Sequence, residues 1–315
     1  MQFHLNYLPQ KFDFNIEHNQ GIFLIGSCFS ENINHILSSY KFKTSANPNG
    51  ILFNPISIAD CLSNIINLNV EYDNFILNRN GIYYSYLHHS SINSTNKSEL
   101  ITRIKKQNAD ANRFLSNSNY LIITFGTAFL YNHLNLNKVV ANCHKQPSNI
   151  FDKKLLSVNE ICDSYTQLIK CLRTLNPELK IIFTVSPVKH LKDGLIENNI
   201  SKSTLILATS KLVNENKNCY YFPAYELVTD DLRDYRFYKE DLAHPNELAI
   251  NYIWEKFSST CFNEKTIATN KLIYKINSAL NHRKMTEENI EEEKLNEFIL
   301  KQKDELKKLN PEIEF

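Results

Sequence analysis

The chain has 315 residues, 43% of them hydrophobic and 22% charged, enough for one large globular domain or two small ones. A net charge of +1 provides no field that would draw nucleic acid or an anionic membrane surface. No run approaches the roughly 18 apolar residues that a bilayer span needs.

Met1 to Asn15 mixes polar and apolar residues without the apolar centre of a signal peptide, which points to a cytoplasmic protein. Residues 1–20 read as a lead-in or an edge segment. Gly21-Ile22-Phe23-Leu24-Ile25-Gly26 then reads as a buried parallel strand. Gly26 ends it, and Ile33, Ile36, Leu37 and Tyr40 mark one face of a following helix over 30–40. Ser27 and Cys28 therefore sit where a strand passes into a helix N-terminus. In open α/β sheets, sites form at the carboxyl ends of strands. Helix-terminal N–H groups there favour a thiolate and can cradle an oxyanion.

Asn47-Pro48-Asn49-Gly50 is turn-rich, and Asn54-Pro55 starts a second helix. Residues 70–95 suggest a hairpin or lid that carries His88 and His89. A polar helix over 98–116 leads to a second buried strand, Tyr120 to Phe125, which ends at Gly126-Thr127-Ala128. A hairpin through Phe129-Leu130-Tyr131 and Val139-Val140-Ala141 leads to Asn142-Cys143-His144-Lys145. A helix over 158–175 stops at Asn176-Pro177, and a strand over 180–185 runs into Ser186-Pro187-Val188-Lys189-His190. A helix over 201–214 and a short strand, Cys219 to Phe222, come next. Asp241-Leu242-Ala243-His244-Pro245-Asn246 precedes a helix with Ala249, Ile250, Ile253, Trp254 and Phe257 inward. Strands alternating with helices imply βαβ units and a mostly parallel sheet of about five strands.

The chain divides on composition into a domain over 1–262 and a charged helical extension over 263–315. Glu287, Glu288 and Glu291 to Glu293 fall early in the extension and Lys301 to Lys308 late, as the helix dipole favours. Its sparse apolar stripe of Ile290, Phe298, Ile299 and Leu306 suits packing onto the main domain or a partner protein.

Seven cysteines, Cys28, Cys61, Cys143, Cys162, Cys171, Cys219 and Cys261, are odd in number and lack C-x-x-C spacing. They indicate reduced thiols rather than disulfides or a zinc knuckle. A metal site from Cys28, Cys143, His144 and His244 has no ligand spacing to support it, and no cofactor signature is present. Glycine is scarce, with six residues, yet Gly26, Gly50 and Gly126 all adjoin strands.

Acyl transfer needs a nucleophile, a base, a group that orients the base, and oxyanion donors. Cys28 is the nucleophile candidate, His244 the base and Asp241 the orienting carboxylate. A base at a helix N-terminus beside Cys28 would leave the thiol largely ionised. Cys143-His144 reads as a second reactive pair or, preferably, as a pocket wall. Lys189 and His190 read as a solvated loop or an anion contact. Tyr225-Glu226 and Arg233 to Arg236 read as an internal ion-pair network or a substrate clamp.

Several stretches together resemble one family: Gly26-Ser27-Cys28-Phe29-Ser30, Asn47-Pro48-Asn49-Gly50-Ile51, Thr124-Phe125-Gly126-Thr127, Val140 to Lys145, Thr184-Val185-Ser186-Pro187-Val188, Leu232 to Tyr238, and Asp241 to Pro245. The chain resembles the GSCFA family, placed among the SGNH (GDSL-type) hydrolases. The resemblance implies a three-layer, flavodoxin-like fold with a helical C-terminal extension. It puts Cys28 at the nucleophile position, with Ser27 as the alternative if the register shifts by one. Gly50 falls at the oxyanion glycine, and Asp241 and His244 match the closing Asp-x-x-His. The third block, Gly-x-Asn in SGNH hydrolases, is here Gly126-Thr127-Ala128 and has no asparagine; Asn142, from the inserted hairpin, is the candidate to reach that place. The implied function is hydrolysis of an acyl ester, such as an O-acetylated carbohydrate. Acyltransfer by the same chemistry and non-catalytic ligand binding are the alternatives.

Overall fold

The computed structural model describes residues 5–282 and 289–315. The elements begin with β1 (Gly21–Gly26), α1 (Cys28–Ser39), β2 (Lys43–Ala46), α2 (Pro55–Ile66), β3 (Ile76–Arg79), β4 (Ile82–Ser85), β5 (Asn93–Ser94) and α3 (Lys97–Ser116). They continue with β6 (Tyr120–Phe125), β7 (Phe129–His133), β8 (Lys138–Val140), β9 (Phe151–Leu155), α4 (Val158–Leu175), β10 (Lys180–Val185), α5 (Leu195–Glu215) and β11 (Cys219–Tyr221). The chain closes with α6 (Ala224–Glu226), α7 (Glu247–Cys261), α8 (Glu264–His282) and α9 (Asn289–Leu309).

Five strands pair in parallel in the order β11–β10–β6–β1–β2. Counted among themselves they run 2-1-3-4-5, the flavodoxin-like order. The order reverses between β1 and β6, so a crevice opens beyond the carboxyl ends of that pair. Alternation along each strand then makes the layers. Phe23 and Ile25 of β1 join Leu121, Ile123 and Phe125 of β6 in a core with α2, α4 and α5. Ile22 and Leu24 turn the other way, against Phe29, Ile33 and Leu37 of α1 and Ile253 and Phe257 of α7. Each such fully buried side chain stabilises the fold by about 1.5–3 kcal/mol.

Local signals set most helix starts. Asn54 caps α2, with Pro55 at its first turn, and Ser157 and Glu160 form a reciprocal capping box on α4. The α5 helix starts at Leu195, well before the expected 201. Its first turns carry Leu195 (57% exposed) and Ile196 (69% exposed), so no apolar stripe announces them.

Two small antiparallel sheets stand outside the main one. β3, β4 and β5 form an antiparallel sheet over the stretch read as a hairpin or lid, and it packs on the loop after β2 through a 3.0 Å bond from the His89 N–H to the Asn49 carbonyl. The expected hairpin forms as β7 and β8, and β9 adds a third strand that alternation does not reveal. Phe151-Asp152-Lys153-Lys154-Leu155 holds three consecutive exposed polar residues, so its edge pairing has no hydrophobic signature.

The C-terminal helices α8 and α9 pack on each other through Ile273, Ile276, Ala279, Ile299 and Leu306. Asn277 of α8 ties the pair to α1 by donating to the Ser39 carbonyl at 2.9 Å. Ile299 and Leu306 are buried as expected, whereas Phe298 is 42% exposed. Glu287 and Glu288 lie outside the described residues, as do the side chains of Ile290, Glu291 and Glu292. No helix among the described residues is long and apolar enough to cross a membrane.

Candidate active site

Ser27 and Cys28 occupy the join between β1 and α1, and they differ in kind. Ser27 is 1% exposed, and its Oγ accepts the Phe29 N–H at 3.3 Å as the cap of α1. Cys28 is the first helical residue and is half-buried. Its sulfur faces its own N–H and that of Phe29, both of which favour the thiolate. Burial outweighs them and, with Glu31 one turn on, pushes the thiol up from its ordinary value. The expectation of a largely ionised Cys28 is thus corrected. Desolvation wins over the helix terminus, and the resting group is a thiol that needs a base.

His244 and Asp241 form a pair on the loop before α7. The His244 Nδ1–H donates to Asp241 Oδ2 at 2.6 Å. Asp241 Oδ1 accepts the N–H groups of Ala243 and His244, each at 2.9 Å. These donors hold the Asp241 carboxyl down at about 2. The Lys189 N–H, donating to the Ala243 carbonyl at 3.1 Å, ties the loop to the segment leaving β10, so the pair stands at the carboxyl edge of the sheet. The His244 side chain is 45% exposed. Among the described residues no hydrogen bond joins it to Cys28 Sγ.

The oxyanion candidates fare unequally. The Gly50 N–H is engaged, donating to the Asn47 carbonyl at 2.8 Å, so it is not an open donor. Gly50 is needed there because φ is +75° and a Cβ would stand 2.4 Å from His89 Cβ. The Gly126 N–H donates to the Phe53 carbonyl at 2.8 Å, and Thr127 Oγ1 bonds to Ser201 Oγ at 3.0 Å. Asn142 turns its Oδ1 to the His144 N–H at 2.7 Å, and its own N–H faces the Tyr86 carbonyl, so it belongs to the lid contact. His144 is 4% exposed and donates to the Ser85 carbonyl at 2.8 Å, against the Tyr84 ring. Burial pushes Cys143 up and His144 down. His88 is fully buried against Tyr72, with Nδ1 on Ser85 Oγ.

Two groups gain weight from the structure. Lys202 lies on the sheet-facing side of α5, 1% exposed. Its ammonium donates to the carbonyls of Gly126 at 2.6 Å and Ser186 at 2.7 Å, the residues that follow β6 and β10. Burial pulls it down to about 7, opposed by Cys28; Lys202 in turn favours the Cys28 thiolate. A sequence signal was present: Lys202, Leu205, Thr209 and Leu212 share one helical face, and lysine is out of place on it. His190, read as part of a solvated loop, is instead tucked in. Its ring meets Phe53 edge-on at 5.4 Å, and its Nε2 is buried without a partner. Burial first, then Lys202 and His244, hold it at about 3. Lys189 sits between the rings of Tyr235 and Tyr238, 4.0 Å from each centroid. Of the neighbouring charges, Arg236 pairs with Asp234 at 3.0 Å, and Glu226 accepts the Tyr221 hydroxyl at 2.7 Å. Among the described residues no three His, Cys, Asp or Glu side chains are grouped to hold a metal.

The GSCFA family model matches residues 21–257, well over half of the chain. The protein belongs to the GSCFA family. The matched span of this GSCFA chain runs from β1 into α7 and holds Cys28, Gly50, Gly126, Asp241 and His244. No curated protein matches it by sequence. Among solved structures it is similar to an acetyl esterase mutant with acetate ion, at 11% identity and a TM-score of 0.38, over 80% of this chain and 98% of that one. It is also similar to a carbohydrate esterase family 3 protein from Talaromyces cellulolyticus, at 11% identity and a TM-score of 0.36, over 80% and 98% of the two chains. With TM-scores below 0.5, these overlaps establish no shared activity.

Proposed function

We propose that this GSCFA protein is an SGNH-like hydrolase of acyl esters with Cys28 as nucleophile, His244 as base and Asp241 as the residue that orients His244. The observation that carries the reading is the Asp241–His244 pair, bonded at 2.6 Å at the same sheet edge as a half-buried thiol on a helix N-terminus. Ser27 is the weaker nucleophile, since its Oγ is buried and caps α1.

In the reaction, Cys28 Sγ attacks the ester carbonyl carbon while its proton passes to His244 Nε2. The carbon–oxygen bond to the alcohol then breaks, and His244 returns the proton to the leaving oxygen. Water, deprotonated by His244, attacks the thioester and releases the acid and the thiol. Asp241 keeps the Nδ1–H tautomer, so that Nε2 is free to accept. Apo geometry is often looser than the reacting complex, and ester binding brings His244 to the sulfur. The Cys28 N–H at the start of α1 is one oxyanion donor.

A burst assay with p-nitrophenyl acetate, followed by intact mass measurement, tests this on the parent and on Cys28→Ala, Ser27→Ala and His244→Ala. The expected result is an acetyl adduct that needs Cys28 and His244 and survives loss of the Ser27 hydroxyl. An adduct that needs Ser27 would reassign the nucleophile. Absence of adduct and turnover with several activated esters would move the protein to non-catalytic ligand binding.

A further inference from the structure

A cavity of about 230 Å³ opens beside the segment that leaves β10, walled by Lys189, Asn198, Tyr225, Arg233, Tyr235 and Tyr238. Its walls are tied to the chain on both sides of His244. The Lys189 N–H donates to the Ala243 carbonyl at 3.1 Å. The N–H of Lys239, next to Tyr238, donates to the His244 carbonyl at 2.7 Å. Tyr238 itself pairs with Pro245 across an isolated β-bridge. The cavity therefore stands against the loop that carries the base. Its volume suits one ring-sized group rather than a whole large ligand.

The lining is unbalanced in charge. Lys189 Nζ lies 4.0 Å from the ring centroids of both Tyr235 and Tyr238, which steadies the ammonium without neutralising it. Arg233 follows a π-helical turn, Leu227–Leu232, and takes the left-handed conformation with φ at +46°, which asparagine or glycine adopts with less strain. Neither cation has a carboxylate partner among the described residues. Asp234 is on the lining, but both its oxygens are engaged. Its Oδ1 accepts the Arg236 N–H at 2.8 Å, and its Oδ2 pairs with Arg236 Nη2 at 3.0 Å. Two unmatched cations on one concave, aromatic surface suit a single anionic group. A guanidinium grips a carboxylate or a phosphate through paired N–H groups, and the tyrosine rings accept the ring or chain that carries it.

We propose that this cavity is the subsite for an anionic group, a carboxylate or a phosphate, carried on the alcohol part of the ester, with Lys189 and Arg233 as its two contacts. The alcohol side follows from the chemistry. His244 returns its proton to the leaving oxygen, so the alcohol departs where the His244 loop stands. That orientation rests on the Cys28–His244 reading, whereas the anion site itself does not. The substrate class becomes an acyl ester of an acidic alcohol.

The test begins with binding to Cys28→Ala, which needs no turnover. Calorimetric titration with 4-hydroxybenzoate, phenyl phosphate and neutral phenol is run at low and high salt. At least one anion should bind about 10-fold or more tighter than phenol, with an advantage that shrinks as salt rises. The advantage should fall about 5–10-fold when Lys189→Met or Arg233→Asn is added. Lys189→Met keeps a stem between the rings, and Arg233→Asn suits the left-handed backbone, so neither variant should disturb the fold. The tighter of the two anions identifies the group as carboxylate or phosphate. The parent is then given the acetate esters of 4-hydroxybenzoate and of its neutral methyl ester. The ratio of their kcat/KM values should shift against the anionic ester by about 5-fold or more in Lys189→Met, chiefly through KM; comparing parent with variant cancels the difference in leaving group. Equal binding of anions and phenol, or affinities that neither substitution moves, overturns the proposal. If anions bind as expected but the parent hydrolyses neither ester, the hydrolase reading falls and the anion site stands. If both esters are hydrolysed through Cys28 with a ratio that Lys189→Met leaves unchanged, the subsite falls and the hydrolase reading stands.

Discussion

Substituting Lys202 by methionine removes the buried cation while keeping the length of its stem, and its effect on stability has a definite pH dependence. The ammonium sits at 1% exposure, held near 7 by burial, against about 10.4 in an unfolded chain. The folded-state value is depressed, so between those two values the unfolded chain binds a proton that the folded one does not. Parent stability must therefore rise with pH across this window and be flat in this respect below about 7. Between about pH 7 and 9 the linkage amounts to about 2 kcal/mol. Lys202→Met also leaves the carbonyls of Gly126 and Ser186 without their donor, which costs about 1–3 kcal/mol each, offset by relief of a desolvated charge. That contribution is independent of pH and cancels in the slope. Urea unfolding of both proteins at several pH values gives the difference directly. The gap between parent and variant should widen in favour of the parent by about 2 kcal/mol from about pH 7 to 9. Parallel pH profiles would show that Lys202 keeps its solution value in the fold and would remove the buried cation from beside Cys28.

Asp241→Asn keeps an oxygen for the N–H groups of Ala243 and His244 but turns an amide N–H toward His244 Nδ1, which selects the tautomer unable to accept a proton at Nε2; kcat for ester turnover should fall about 10²–10⁴-fold with KM little changed. Gly50→Ala forces a Cβ to 2.4 Å from His89 Cβ at a φ of +75°, so urea unfolding should show a loss of at least about 2 kcal/mol; an unchanged midpoint would mean that the lid does not press on this turn. His88 and His190 are both held at about 3 by burial. Below about 6.5 the unfolded chain gains protons that the folded one refuses. Acid titration followed by circular dichroism should therefore show stability falling from about pH 6.5 toward 3, less steeply in His88→Phe.

The parallel sheet was legible because its strands are buried on both faces and so spell continuous apolar runs, as in Ile22 to Ile25 and Tyr120 to Phe125. Helix starts were legible where a cap announces them, as at Asn54-Pro55. The β9 strand and the first turns of α5 were not, since an exposed edge strand and an exposed helical turn leave no hydrophobic period to read. The same division runs through the site. Asp241 and His244 lie three residues apart and bond within one loop, so spacing alone brings them together. The environment of Cys28 depends on Lys202, which is brought in from α5, and the wall of His190 is built from Phe53 and Gly126 on two other segments. No local pattern encodes such long-range meetings. Local geometry at Cys28 suggested an ionised thiol, yet the burial imposed by packing decides the opposite. That inversion bears on chemistry. A thiol kept protonated by burial is quiet by itself; under the proposed mechanism ester binding brings His244 to the sulfur, so alkylation of Cys28 by a small neutral reagent should lag well behind its acylation by a good ester.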